Sequence, residues 1–177
     1  MKKILIVVDM QKDFIDGSLG TKEAQSIVKN VETRIQTFQG DVYYTQDTHS
    51  ENYLETQEGR ILPVVHCVKG TDGWKLHPEI LKACEDKAAV SVEKYTFGSK
   101  ELPGLLSEKY PEGLESITLI GLCTDICVIS NALLLKAFFP ETPMEVDASC
   151  CAGVSPASHL NALEAMKMCQ ISITGEN

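Results

Sequence analysis

A strand, a tight turn and a helix are predicted in succession near residue 121, and this arrangement constrains the fold most. The apolar run 116–120 leads into a glycine, and residues 126–139 are almost entirely apolar. Thr124 or Asp125 is the predicted N-cap of the helix. Cys127 then lies in the first helical turn, where unpaired backbone N–H groups and the helix dipole favour a thiolate. We interpret Cys127 as a candidate nucleophile.

Strand and helix patterns alternate along the rest of the chain. We predict six strands, at residues 3–8, 41–45, 88–92, 117–120, 144–146 and 171–173. Helical spacing of apolar residues predicts a helix over 21–38, and Pro78 and Ser155 mark the starts of two more. The pattern predicts a three-layer α/β fold, a six-stranded, mostly parallel sheet with helices on both faces. No linker divides residues 1–177, so one domain is expected.

Composition and charge exclude several classes of partner. The chain is 44% hydrophobic and 23% charged, as in ordinary globular proteins. Its formal net charge of −9 argues against nucleic acid and anionic membranes. No apolar run is long enough to span a bilayer, and Asp9 interrupts the first one too early for a signal peptide. A cytoplasmic protein is therefore expected.

The seven cysteines lack the spacing of a disulfide framework or a zinc ribbon. Four of them have no polar neighbours that suggest a further role and are predicted to be small buried hydrophobes: Cys84, Cys150, Cys151 and Cys169. A redox pair formed by Cys150 and Cys151 is a minor alternative.

Polar side chains follow four of the predicted strands in turn, namely Asp9, Asp47, Lys94 and Cys127. In open parallel sheets ligands bind beyond the carboxyl ends of the strands, so we expect these groups at one edge. A carboxylate at the margin of the core has a raised pKa, which suits Asp9 to transfer protons. Taken singly, Asp9 is equally well a loop residue and Lys94 a solvated surface lysine.

The long loop between residues 45 and 88 contains a possible metal site. Asp47 and His49 lie two residues apart, on one face of an extended segment, and Glu58 and His66 follow. Two carboxylates and two imidazoles suit zinc, manganese or iron. Polar loops also produce such sets by chance, so the residues alone leave the metal open.

Three separated motifs resemble those of the isochorismatase-like cysteine hydrolases, and of their nicotinamidase branch most of all. They are residues 8–14, Lys94 and residues 121–128, in the order and on the elements that the family uses. The resemblance covers essentially the whole chain. It implies that Asp9, Lys94 and Cys127 form the family's catalytic triad.

The resemblance also implies how such a triad works. The thiol of Cys127 gives its proton to Asp9 and attacks an amide carbonyl, and water hydrolyses the resulting thioester. Backbone N–H groups of Cys123 and Cys127 would bind the oxyanion. A non-proline cis peptide is expected between Leu122 and Cys123.

For the metal and the pocket the resemblance implies further residues. Nicotinamidases bind one divalent metal, here through Asp47, His49, Glu58 and His66. Glu58 is the choice for the third ligand, which varies in the family, and Glu55 or Glu51 is the alternative. The substrate-binding candidates are the aromatic residues Phe14, Trp74 and Phe97. The segment 95–99 is shorter than in many nicotinamidases, which leaves the exact amide open.

The predicted activity is conversion of nicotinamide to nicotinate and ammonia through a thioester on Cys127. Alternatives are hydrolysis of another small amide, a carbamoyl or ureido compound, or isochorismate. A non-catalytic metal-binding relative is a further alternative. The apolar helix 126–139 is either deeply buried or partly an interface. The resemblance implies a homo-oligomer, because members of the family commonly assemble.

Overall fold

Six parallel strands form one sheet in the computed structural model of the protein, which describes residues 1–176. The strands are β1 (Lys2–Val8), β2 (Asp41–Asp47), β3 (Val90–Lys94), β4 (Leu114–Leu122), β5 (Met144–Ala152) and β6 (Ser172–Thr174). Their order across the sheet is β3-β2-β1-β4-β5-β6, with every neighbouring pair parallel. The predicted α/β fold with a six-stranded parallel sheet is confirmed.

Within the same residues, seven α-helices connect the strands. They are α1 (Lys12–Ile15), α2 (Lys22–Thr37), α3 (Gln57–Ile61), α4 (Pro78–Asp86), α5 (Leu102–Lys109), α6 (Ile129–Phe138) and α7 (Pro156–Met168). Helices α2 and α4 pack on one face of the sheet, and α5, α6 and α7 pack on the other. None of the helices in residues 1–176 has the length and apolar content that a membrane crossing requires.

Strand β1 lies at the centre of the sheet and is covered on both faces. Ile4 and Ile6 contact the core beneath α5–α7, whereas Leu5 and Val7 contact the core beneath α2 and α4. All four side chains are fully buried. An uninterrupted aliphatic run suits this position, because successive side chains of a strand point to opposite faces.

The strand order reverses between β1 and β4, and this reversal positions the site. The chain runs from β1 to β2 on one side and from β4 to β5 on the other, so a crevice opens beyond their carboxyl ends. Gly121, paired with Val8, has a φ of 117°. A Cβ there would lie 2.1 Å from the Val8 carbonyl oxygen, so the close approach of the two strands requires glycine.

Several element boundaries differ from the prediction. β3 ends at Lys94 and β2 at Asp47, two residues beyond the predicted ends, because neighbouring strands keep pairing there. A π-helical turn, Thr124–Val128, precedes α6, and its N-cap is Cys123 instead of Thr124 or Asp125. The short helices α1, α3 and α5 were not predicted.

The cysteines divide as predicted with one exception. Cys84, Cys150 and Cys151 are buried, in agreement with their interpretation as small hydrophobic residues. Cys169 is exposed, so that prediction is wrong. It is the C-cap residue of α7, at the surface end of the helix.

Candidate active site

A fully buried ion pair lies at the floor of the crevice. Asp9 directly follows β1 with a φ of 46°, and Lys94 is the last residue of β3. Lys94 Nζ is 2.7 Å from Asp9 Oδ2. Asp9 Oδ1 accepts a hydrogen bond from Thr45 Oγ1 at 2.6 Å, which orients the carboxylate. Both charged groups have zero solvent exposure, so each is stabilised by the other and by these hydrogen bonds.

Lys94 also joins this pair to the other predicted groups. Its Nζ donates to Asp47 Oδ1 at 3.0 Å and to Cys127 Sγ at 3.4 Å. The Thr96 carbonyl accepts a further hydrogen bond at 3.2 Å. Burial alone would lower the pKa of Lys94, but the charges of Asp9, Cys127 and Asp47 raise it. The ammonium therefore stays protonated among its acidic neighbours.

Burial governs the proton affinities of the other two groups. It raises the pKa of the Asp9 carboxyl, and the Lys94 charge offsets only part of that rise. It also raises the pKa of the Cys127 thiol well above its usual value, and the Asp9 charge adds to the effect. The helix terminus favours the thiolate, whereas burial and the Asp9 charge favour the neutral thiol, and the net effect on the pKa of the thiol is a rise. A neutral thiol beside a carboxylate can lose its proton to that carboxylate when it attacks.

The turn that carries Cys127 is fixed by side chains from other elements. The peptide between Leu122 and Cys123 is cis, as the family resemblance implies. The Cys123 carbonyl accepts hydrogen bonds from the N–H groups of Ile126 and Val128 at 3.1 and 3.0 Å. Thr124 Oγ1 lies 2.8 Å from Nδ1 of His159 on α7. These contacts hold the turn against β4 and α7.

Asn131, which the sequence analysis did not select, supports both sides of the crevice. Its Nδ2 donates to the Cys127 carbonyl at 2.8 Å and to the Phe97 carbonyl at 3.2 Å. Its Oδ1 accepts from the Ser99 N–H at 2.9 Å. The signal was present, because a lone amide in the apolar stretch 126–139 is buried only when its hydrogen bonds are satisfied.

Four side chains beside the ion pair form a cluster of metal-ligand type. The potential ligand atoms of Asp47, His49, Glu58 and His66 all lie within 4.8 Å of one another. His49 Nε2 is 2.9 Å from Asp47 Oδ2, and His66 Nε2 is 3.8 Å from both Asp47 Oδ2 and Glu58 Oε1. Ligands bound about 2.0–2.2 Å from a tetrahedral zinc lie roughly 3.3–3.6 Å apart. The donor set therefore fits one divalent cation.

Each of the two histidines has a ring nitrogen positioned to bind such a cation. His66 Nδ1 donates to the Val64 carbonyl at 2.7 Å, which leaves Nε2 as the nitrogen beside Asp47 and Glu58. His49 Nε2 is buried and, among the described residues, has no partner with hydrogen-bond geometry. A bound cation would satisfy both nitrogens.

The geometry favours Glu58 over the alternative carboxylates. α3 begins with the Thr56 side chain accepting the Gly59 N–H at 3.0 Å, which holds Glu58 in the first turn beside the histidines. Glu51 and Glu55 are exposed and lie outside the cluster.

A cavity of about 720 Å³ is lined by Asp47, Glu58 and His66 of the cluster and by Cys127. Phe14 and Phe97 both line it, together with Cys123 and Cys127. Trp74 does not line it. Its indole N–H donates to Thr48 Oγ1 at 3.0 Å, so the ring is used to hold the loop.

Known proteins share this fold over its full length. A nicotinamidase/pyrazinamidase of Mycobacterium tuberculosis is 26% identical over 183 residues, covering 97% of both chains. The crystal structure of a Bacillus subtilis nicotinamidase/pyrazinamidase superposes with a TM-score of 0.87 and 26% identity, covering 98% of this chain and 100% of that one. The crystal structure of a Pyrococcus horikoshii pyrazinamidase in complex with zinc superposes with a TM-score of 0.81 and 26% sequence identity. The match covers 99% of this chain and 100% of that one. The family model of the isochorismatase domain matches residues 3–177, and the chain therefore belongs to the isochorismatase family.

Proposed function

We propose that the protein is a metal-containing cysteine amidohydrolase that converts nicotinamide to nicotinate and ammonia. The observation that carries the proposal is the position of the Lys94 ammonium. It contacts Asp9 and Cys127 on one side and Asp47 of the ligand cluster on the other. One ammonium group thus contacts a nucleophile, a base and a member of the metal-ligand set. The activities named for the similar proteins support the same reaction.

The proposed reaction begins with proton transfer from the Cys127 thiol to Asp9. The sulfur attacks the carboxamide carbon, and the carbonyl π electrons move to oxygen. Backbone N–H groups of Cys123 and Cys127 are the proposed donors to that oxyanion. As the oxyanion collapses, the C–N bond breaks, Asp9 returns the proton to the nitrogen, and ammonia leaves.

Hydrolysis of the thioester completes the cycle. Asp9, again ionised, accepts a proton from water as the water oxygen attacks the acyl carbon. The C–S bond breaks and the proton on Asp9 returns to the sulfur. The product leaves as nicotinate once its carboxyl proton passes to solvent. Throughout, the Lys94 ammonium compensates the negative charge that moves between Asp9 and Cys127.

The ligand cluster is proposed to hold zinc through Asp47, His49, Glu58 and His66, and manganese and iron suit the same donors. A bound cation supplies a Lewis-acidic position for a pyridine nitrogen, which fits nicotinamide. Phe14, whose ring centroid is 5.4 Å from that of His66, and Phe97 are proposed to contact the pyridine ring.

Ammonia release from nicotinamide tests the proposal. The wild type loaded with zinc is compared with Cys127→Ala and with chelator-treated protein, and Cys169→Ala serves as the control because Cys169 is an exposed thiol. We expect loss of turnover in the first two samples and retention in the control. Absence of ammonia from the zinc-loaded wild type would contradict the nicotinamidase assignment.

A further inference from the structure

The cavity is larger than the proposed substrate requires. Its volume is about 720 Å³. Nicotinamide has nine non-hydrogen atoms, and even at the ~30 Å³ that a water molecule occupies in the liquid these would fill roughly 270 Å³. More than half of the cavity is left when a pyridine carboxamide is in place.

The remaining space is at the mouth, which is apolar. Asp47, His66 and Cys127 are buried at the inner end, whereas five of the apolar side chains of the lining are exposed. These side chains come from the end of α3, the loop after β3 and the loop after β5: Ile61, Leu62, Tyr95, Phe97 and Val154. Exposed apolar side chains gathered around one opening are typical of ligand-binding grooves.

The charge of the lining restricts what the mouth can bind. Among the lining residues that the structure describes, the carboxylates are Asp47 and Glu58, and both belong to the inner ligand cluster. The lining contains no lysine or arginine. A charged group at the mouth would lose water without gaining an ion partner, whereas an apolar group would gain by burial.

The wall beside Phe97 is held in place before any ligand binds. Asn131 donates to the Phe97 carbonyl and accepts from the Ser99 N–H, and Thr96 Oγ1 donates to the Gly98 carbonyl at 2.6 Å. A preformed surface binds a substituent without the entropic cost of ordering a loop.

From these observations we infer that the mouth is a subsite for an uncharged, apolar substituent on the aromatic carboxamide. The protein then prefers alkyl- or aryl-extended carboxamides to nicotinamide itself. The inference rests on the proposed function, because the carboxamide of the extended substrate must still reach Cys127.

A series of 5-substituted nicotinamides tests the subsite, since ring position 5 points away from both the carboxamide and the ring nitrogen. The probes are nicotinamide and its 5-methyl, 5-propyl and 5-carboxy derivatives. We expect kcat/KM to rise about two- to fourfold with each added methylene. The kcat/KM of the 5-carboxy compound should be lower than that of nicotinamide. A series that stays flat or declines with length, with nicotinamide still hydrolysed, overturns the subsite and leaves the proposed function intact.

Two matched variants show whether the side chains at the mouth cause the preference for 5-alkyl substrates. Ile61→Ser changes the mouth, where Ile61 is 77% exposed, and Leu160→Ser changes an exposed apolar residue on α7 that does not line the cavity. We expect Ile61→Ser to lower the ratio of 5-propyl to nicotinamide kcat/KM by roughly three- to tenfold, and Leu160→Ser to leave it unchanged. An equal effect of both variants contradicts the subsite.

Binding to the inactive Cys127→Ala variant separates the two proposals. If none of the amides is hydrolysed, the proposed function fails, and calorimetry with nicotinate and 5-propylnicotinate still decides the subsite. Tighter binding of the propyl compound supports the subsite, and equal binding overturns it. A flat substrate series together with a dimer that Ile61→Ser dissociates would show that a second copy covers the mouth, which also overturns the inference.

Discussion

Lys94 shows how strongly the surroundings decide the role of a single side chain. From the sequence, a lysine between Glu93 and Tyr95 is compatible with a surface position. In the structure it is fully buried and contacts Asp9 and Asp47. Its contact with Asp9 depends on the strand order, because β3 and β1 are separated by β2 and their ends meet only in the folded sheet.

Asp9 gives a prediction for the pH dependence of hydrolysis. The proposed base must be ionised to accept the thiol proton, so kcat/KM falls as the pH falls through its pKa. Burial raises the pKa of Asp9, and we therefore expect the midpoint of the acidic limb above the ~3.9 of an ordinary aspartate. A pH profile of the zinc-loaded enzyme measures this midpoint.

Asp9→Asn is the control for that assignment. It should reduce kcat by roughly 10²- to 10⁴-fold and remove the acidic limb. A limb that persists unchanged in the variant would assign it to another group.

At the scale of elements, the contact between β1 and β4 predicts that adding one methyl group at Gly121 lowers the stability of the protein. Gly121→Ala places a Cβ against the Val8 carbonyl at a φ of 117°. We expect the free energy of unfolding to fall by about 2–5 kcal/mol. Denaturant titration measures the loss.

Gly104→Ala is the matched control for this substitution. Gly104 lies in α5, and a Cβ there meets no atom within 4 Å. Since alanine is the better helix former, the variant should be unchanged or up to ~1 kcal/mol more stable. Equal destabilisation by both variants would refute the steric argument.

The contact between α7 and the π-helical turn gives a second prediction at this scale. His159→Leu removes the group that contacts the Thr124 hydroxyl, one residue after a proposed oxyanion donor. We expect kcat to fall about 10- to 100-fold with a smaller change in KM, as for a residue that positions the turn.

Partial recovery of kcat in His159→Asn would support a hydrogen-bonding role. A change confined to thermal stability in both His159 variants would contradict it. Steady-state kinetics and thermal unfolding distinguish the two results.

The elements also show what sequence patterns predict well. The aliphatic run of β1 and the helical spacing of α2 are strong local signals, and both elements are confirmed. The helices α1 and α3 span only one turn, which is too short for an apolar periodicity to develop. The raised pKa of the Cys127 thiol depends on burial by distant segments, whereas the local turn alone indicates a lowered pKa.

At the scale of the whole molecule, the ligand cluster connects the end of β2 to the long segment that follows it. Asp47 ends β2, Glu58 lies on α3, and His66 is in the following loop. A cation that binds these residues only in the folded state raises its stability by about 2.7 kcal/mol at 100 times the Kd. We expect zinc to raise the thermal midpoint of the protein and a chelator to lower it.

Two glutamate variants show whether this stabilisation arises at the cluster. Glu58→Gln should weaken the zinc-induced shift, whereas Glu55→Gln, at an exposed position outside the cluster, should leave it unchanged. A shift that is weakened only by Glu55→Gln would make Glu55 the third ligand.

The strand order was the part of the fold that the sequence left open. Sequence patterns predicted six strands and the convergence of Asp9, Asp47, Lys94 and Cys127 at one edge. They did not predict β3-β2-β1-β4-β5-β6, because the order depends on contacts between strands far apart in the chain.

The central pairing of β1 with β4 joins the N-terminal part of the chain to the C-terminal part. Asp9 and Lys94 precede the exposed turn at residues 111–113, and Cys127 follows it. A break in the backbone at this turn places the proposed base and nucleophile on separate fragments, neither of which is complete. Amide hydrolysis by a mixture of the two fragments then reports their association, because the hydrogen bonds between β1 and β4 would hold the fragments together.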